Sequence, residues 1–382
     1  MTEIKPREQK KSREGKLSLS EGLFCITSAL AVVLTLWCSE LTSAAMLGAM
    51  KSCVSAVIPS LFPFMVLCDI FVSSGAADIL ARILGRPFEK LFGIGREGSV
   101  AVLLGLVFGF PVGTKSALSL YESGRINKSE TEHLLCFCNG PSSAFLISAV
   151  GGVLFGSRSF GVVLCVSEML SAVVIGVAAR AFFRSDTSKN NQKIKYLSQK
   201  ERRGGVLSVV DAVTSSATAM LSVCAFIVFF SAISAIVDEG ARAMGAGQTA
   251  RALLTAVFEL TGGVRAIAGA GIERYAACLF CAAAVGWSGI SVHFQFISLL
   301  KDSGLSYRPY FVAKAARAAL DLCFVGAALW GFGDRIEFGE STASSFLRAG
   351  ELHPIYLVSL LAVLLAGLWK LRVERGKLKD IS

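Results

Sequence analysis

Three short stretches set helix-breaking residues beside polar groups in otherwise apolar sequence, where every buried polar group needs a partner or a function. The first is Gly109-Phe110-Pro111-Val112-Gly113-Thr114-Lys115-Ser116, which follows eleven uncharged residues. Two glycines and a proline predict that one helix stops there and another starts, so that unsatisfied N–H groups and a positive dipole end face the gap. Lys115 adds a full positive charge. Together these groups would favour an anion, as helix N-termini do for phosphate and carboxylate; the alternative is a lysine that snorkels from a helix end to an interface. The second stretch, Asn139-Gly140-Pro141-Ser142-Ser143, predicts another break. There Ser142 and Ser143 suit the first positions of a new helix, and Asn139 can both donate and accept. A packing kink with self-satisfied hydroxyls is the plainer reading of that stretch.

The third stretch is Gly286-Trp287-Ser288-Gly289-Ile290-Ser291-Val292-His293-Phe294-Gln295. On a helix Ser288, Ser291 and Gln295 would share one polar stripe, because residues three and four apart are neighbours. His293 falls on another face and reads more readily as a hydrogen-bonded structural residue than as a ligand. Two carboxylates, Asp69 and Glu168, stand in apolar stretches without a basic residue nearby in sequence. Intramembrane carboxylates are functional candidates by default, here as carriers of a coupling ion. Asp321 differs: Arg317 lies one helical turn before it and Lys314 two, so that set is expected to neutralise itself across one helix face.

The elements that must position these groups are membrane helices. Hydrophobic residues make up 53% of the 382 positions and charged residues 17%, against roughly 25% charged in soluble domains. Apolar stretches run about 22–39, 54–75, 98–121, 132–156, 159–183, 211–237, 274–300, 309–332 and 353–369. The expected fold is therefore an all-α polytopic membrane protein with broken or re-entrant helices. Its organisation reads as a basic tail (1–21), a first membrane unit (22–183), a basic connector (184–206), a second membrane unit (207–371) and a basic C-terminal tail (372–382). Lys5 to Lys16 holds six basic residues and Arg180 to Arg203 eight, and Lys370 to Lys379 forms a third cluster. The positive-inside rule puts all three in the cytoplasm. Five apolar stretches precede the connector, so one of the five should not cross, and the stretches broken by glycine and proline are the suspects.

The two units share a layout. A proline-broken span (Pro59, Pro63), a basic connector (Arg82 to Arg96) and a glycine-rich span ending in YESGRI are matched by a span after Asp211, an amphipathic connector (Arg251 to Ile272) and a span ending in LLKDSGL. With the tails inside, the two units would be inverted repeats, a transporter plan that puts the binding site near the midplane. The net charge of +10 comes from connectors and tails rather than one aromatic-laced face, which argues against a nucleic-acid partner and for the lipid bilayer. The sequence has no H-E-x-x-H, G-x-S-x-G or Walker A stretch. No enzyme, cofactor or self-contained pump is expected, and Cys136, Cys138, Cys278 and Cys281 read as packing thiols rather than metal ligands. A homo-oligomer is compatible with the sequence.

Four stretches, VIPSLFPFMVLCDIFVSSG, GFPVGTK, SGRINKSETEHLLCFCNGPSSAF and GWSGISVHFQ, give the chain a resemblance. It resembles the YlbJ (SpoVV) family of sporulation integral membrane proteins, within the nucleoside-recognition Gate grouping, over most of residues 20–335. The matching positions are Gly113 and Lys115 of the G-x-K element and Asn139, Gly140 and Pro141; Thr114 stands where family members have alanine. The resemblance implies a multipass protein of the outer forespore membrane that passes dipicolinate, a flat organic dianion, towards the forespore. On that expectation the substrate groups are Gly113, Thr114, Lys115, Asn139, Ser142, Ser143, Ser288, Ser291 and Gln295, with Asp69 and Glu168 for ion coupling. A carrier of nucleosides or other small metabolites is the alternative, and a non-transporting scaffold for the spore envelope a third reading.

Overall fold

The computed structural model describes residues 19–73, 76–183 and 206–339. Most of the N-terminal tail, the connector up to residue 205, the apolar stretch 353–369 and the C-terminal tail lie outside the described residues. Every regular element within them is helical, as the composition requires.

Helices α1 (Leu19–Trp37) and α2 (Ser39–Ser52) meet at a bend of 91°. A π-helical turn (Cys53–Val57) leads into α3 (Ile58–Ser73), which carries Pro63 in its interior. The expected basic connector from Arg82 to Arg96 is mostly a helix, α4 (Ala76–Phe92). Arg82, Arg86, Glu89 and Lys90 are exposed on it while Ala81, Gly85 and Phe92 are buried, so its charge marks one face rather than a loop.

Two of the first five apolar stretches are interrupted where glycine and proline predict. The first divides into α5 (Gly98–Phe108) and α6 (Val112–Glu122), separated by Gly109 at φ +69° and a cis Phe110–Pro111 peptide. The second divides into α7 (Lys128–Phe137) and a π-helix (Phe145–Leu154) across residues 138–144. The two interruptions touch, and Phe110 N donates to Gly140 O at 2.7 Å. The second break thus supplies an acceptor for a backbone N–H that the first frees, as irregular backbone at membrane depth requires. Helix α8 (Arg158–Ala179) starts on Ser157, whose Oγ accepts from Phe160 N. It exposes Val162, Val166, Leu170, Val174 and Val177 along one stripe and buries Glu168, Ser171 and Ala172 on the other. That division separates a lipid face from a packed one.

The second half opens with the long helix α9 (Val206–Ala243). The predicted amphipathic connector from Arg251 to Ile272 is instead two short helices, α10 (Gln248–Phe258) and α11 (Leu260–Gly269), broken at Glu259. Ala252, Ala256, Val264 and Ile267 of this pair are buried in the core beside Leu146, Phe160 and Cys281. Neither helix is long enough to span, which is why the segment resembles a connector in sequence. Glu259 caps α11 by accepting from Thr261 N and Gly262 N. Helices α12 (Arg274–Trp287) and α13 (Gly289–Leu300) are broken at Ser288, a residue in the left-handed conformation at φ +71°. The two breaks abut here too: a Cβ added to Gly289 would fall 2.9 Å from Leu260 N. Helix α14 (Arg308–Phe332) completes the described fold apart from a short 3-10 turn.

Each half holds two consecutive broken helices followed by a closing helix, α8 in the first and α14 in the second. The helix Ala76–Phe92 precedes the breaks of the first half and has no counterpart in the second. Among the described residues α8, Val209–Ala243 and Arg274–Leu300 are long and apolar enough to cross a membrane, and the bent α1–α2 pair makes a fourth if it forms one span.

Candidate functional site at the meeting of the helix breaks

Helix α14 brings the two halves together. Tyr310, Ala313, Lys314, Arg317, Asp321 and Val325 recur at three- and four-residue spacing, so all of them face inward from one helix. Lys314 is completely buried. Its Nζ donates to the Asn139 backbone O at 3.1 Å and to Ser288 Oγ at 2.8 Å, one partner from a break in each half. Ser288 Oγ in turn donates to Val285 O, so the left-handed residue is fixed from both sides. No carboxylate lies within ion-pair distance of Lys314 among the described residues.

One turn on, Arg317 Nε lies 3.1 Å from Glu168 Oε1, and both side chains are buried. The guanidinium also donates to Phe137 O and Glu168 O, at 3.3 and 3.2 Å. Ser171, one turn along α8 from Glu168, donates to Asp321 Oδ1. The expected self-neutralisation of Lys314, Arg317 and Asp321 along one helix face therefore does not occur. Arg317 pairs across to α8, and Glu168, isolated in sequence, gains a cation in space. Two cations and two carboxylates balance at the centre, but hydrogen bonding is incomplete: both Glu168 carboxylate oxygens, Asp321 Oδ2 and Arg317 Nε lack an aligned partner. Gly140 gives this cluster room, since a Cβ there would collide with Glu168 Oε1 and lie 2.9 Å from Arg317 Nη2.

A second charged pair lies between the first half and α9. Lys115 Nζ is 2.8 Å from Asp69 Oδ2 and 3.2 Å from Ser215 Oγ, and Ser216 Oγ donates to the same Asp69 oxygen at 3.1 Å. Asp69 too stands without a cation in sequence and has one in space. Gly113 lies under a backbone crossing, where a Cβ would sit 2.6 Å from Gly105 Cα and closer still to Cys138 O. Thr114 is wholly buried with its hydroxyl unpartnered.

Of the other expected residues, Asn139 is buried, donates from its side chain to Leu135 O and leaves Oδ1 unpartnered. Ser142 Oγ accepts from Phe145 N at 3.3 Å as a cap for the π-helix, and Ser143 beside it is half-buried. Gln295 Nε2 donates to Ser291 Oγ at 3.2 Å, both of them buried. These two share the expected i,i+4 relation, while Ser288 belongs to the break before their helix. His293 Nδ1 is 2.9 Å from Tyr310 Oη, with Trp287 and Phe311 against the ring, and Nε2 has no partner. Cys136, Cys138, Cys278 and Cys281 are buried and joined in no disulfide. Sequence reasoning missed Lys314 and Arg317. The available signal was two cations at i and i+3 in an apolar span, together with a carboxylate at 168 that needed a partner.

No family model matches the chain, and no solved structure matches it. It is similar to the sporulation integral membrane protein YlbJ of Bacillus subtilis (strain 168), at 24% identity over 304 residues, covering 72% of this chain and 74% of that protein. That similarity and the all-helical fold of broken membrane helices agree with the resemblance to the YlbJ family of sporulation integral membrane proteins.

Proposed function

We propose that the chain carries a small organic anion across a membrane of a sporulating cell, with dipicolinate passing into the forespore as the favoured cargo. The observation that carries this reading is Lys314, a buried cation at the meeting of two pairs of helix breaks whose hydrogen-bond partners are neutral oxygens. Lys115 is committed to Asp69; Lys314 is committed to a carbonyl and a hydroxyl. A substrate carboxylate can replace either acceptor and gain a charge-assisted bond. The unpartnered Asn139 Oδ1 and His293 Nε2 supply further polar groups near this place. A dianion entering low dielectric needs such offsets, because an unpaired one would meet a barrier of many kcal/mol.

The outer forespore membrane is the proposed location, with the cell membrane as the alternative. A neutral nucleoside is the second reading, favoured by one observation: the charges of Lys314, Arg317, Glu168 and Asp321 already cancel. Sealed vesicles containing the purified protein, offered labelled dipicolinate and labelled nucleosides in parallel, distinguish the two. Uptake of dipicolinate that unlabelled nucleosides do not compete supports the anion carrier. Uptake of nucleosides alone overturns it.

A further inference from the structure

The Glu168–Asp321 pair is incompletely satisfied in a way that hydrogen bonding among the described residues does not repair. The two carboxyl groups stand on neighbouring turns of α8 and α14: Glu168 pairs with Arg317 of α14, and Ser171, one turn along α8 from Glu168, donates to Asp321. Three of their four oxygens have no donor. The nearest donors have their bonds to other acceptors, and Arg317 Nε, though close, is not aligned on Glu168. Ser171 serves Asp321 Oδ1, and Arg317 Nη1 and Nη2 serve two backbone carbonyls. Lys314 and Arg317 of α14 and Cys165 of α8 neighbour the pair, α12 presents Gly286 to Asp321, and Cys138, at the end of α7, neighbours Lys314 and Arg317. Two ionised carboxylates on neighbouring turns inside a dry protein repel, and a single proton held between them removes the repulsion and supplies the missing donor. A metal ion would do the same, but no group of three or more potential ligands exists among the described residues to hold one.

A shared proton also changes the charge of the centre. Without it, two cations and two carboxylates sum to zero. With it, the cluster carries one net positive charge beside Lys314, where the anion of the proposed transport reading would bind. We infer that Glu168 and Asp321 form a proton-coupling site: the pair holds one shared proton whenever the anion is bound and gives it up to solvent after the anion has left, making transport a proton–anion symport. This inference rests on the anion-carrier reading and adds the coupling ion to it.

The test is proton uptake by the purified full-length protein in weakly buffered detergent solution with a pH indicator, on addition of dipicolinate at a series of pH values from neutral upward, with binding measured in parallel. The expected result is a pH range, above that at which the free pair loses its shared proton, in which about one proton is taken up per dipicolinate bound and affinity falls about tenfold per pH unit. Glu168→Gln removes a partner of Arg317 and can compromise folding, so Asp321→Asn is the companion variant; either should bind with little pH dependence and no proton uptake. Binding by the wild-type protein without proton uptake, or binding that requires sodium instead, overturns the inference and leaves the carrier reading standing. Absence of dipicolinate binding altogether overturns the carrier reading, and the inference falls with it.

Discussion

Replacing Gly113 by alanine tests whether this glycine of the G-x-K element serves packing or substrate. A Cβ built there lies 2.6 Å from Gly105 Cα, 3.0 Å from Cys138 C and closer still to Cys138 O, whereas ordinary contact begins at 3.4 Å. All three neighbours are backbone atoms, so no side chain can swing aside. Helices α5 and α6 or the end of α7 must separate by more than an ångström to clear Cys138 O. Overpacking of this kind costs about 1–3 kcal/mol, and the backbone contacts put Gly113 at the top of that range. About 3 kcal/mol lowers the folded-to-unfolded ratio roughly a hundredfold. The assay is the temperature at which detergent-purified protein loses its monodisperse gel-filtration peak. Gly113→Ala should melt well below the wild-type protein, while Gly240→Ala, with nothing within 4 Å, should melt at the same temperature or higher. A Gly113→Ala protein with wild-type melting and impaired substrate binding would refute the packing argument and return Gly113 to the substrate path.

Three further outcomes follow from the charged pairs and the topology. Glu168→Leu should lose about 3–5 kcal/mol by leaving a guanidinium buried without its carboxylate, and Glu168→Leu with Arg317→Met should recover much of it; the same melting assay checks this, and additive losses would mean that the two residues do not act as a pair. Lys115→Met should cost less, since Asp69 keeps 25% of its side chain exposed, and adding Asp69→Asn should restore stability because no unpaired charge then remains. Cysteines placed between residues 184 and 203 should be labelled only after permeabilisation, as eight basic residues between Arg180 and Arg203 resist translocation; labelling of intact cells by an impermeant reagent would reverse the orientation.

The breaks were legible in the sequence because glycine and proline act locally. Gly109 needs its positive φ whatever surrounds it, and Pro111 and Pro141 cannot continue a helix with its full hydrogen bonding. The class of fold was legible for a similar reason, since long uncharged runs have few alternatives to membrane helices. The partners of the charges were not. Lys115 and Asp69 are 46 residues apart and Glu168 and Arg317 149 apart, so only the crossing of helices brings them together. Lys314, Arg317 and Asp321 have the spacing of a self-neutralising helix face, and nothing local says that Arg317 reaches α8. The Glu259 break was hidden because glutamate is not a helix breaker. It ends α10 by capping α11 with its own carboxylate, and the neighbouring Gly289 makes room for that turn.

The central claim is that Lys314, at the junction of the two halves, holds the substrate carboxylate. Its most direct test is equilibrium binding of dipicolinate to purified protein, comparing wild type, Lys314→Met and Ser288→Ala. Lys314→Met deletes the buried charge and keeps most of the apolar stem, so affinity should fall at least a hundredfold, the equivalent of about 3 kcal/mol for a charge-assisted hydrogen bond. Ser288→Ala frees the ammonium from one neutral acceptor and should bind as tightly as wild type or more tightly. Each comparison is made on protein that retains its monodisperse peak. Dipicolinate bound by Lys314→Met with wild-type affinity would contradict the account and move the anion site away from the meeting of the breaks.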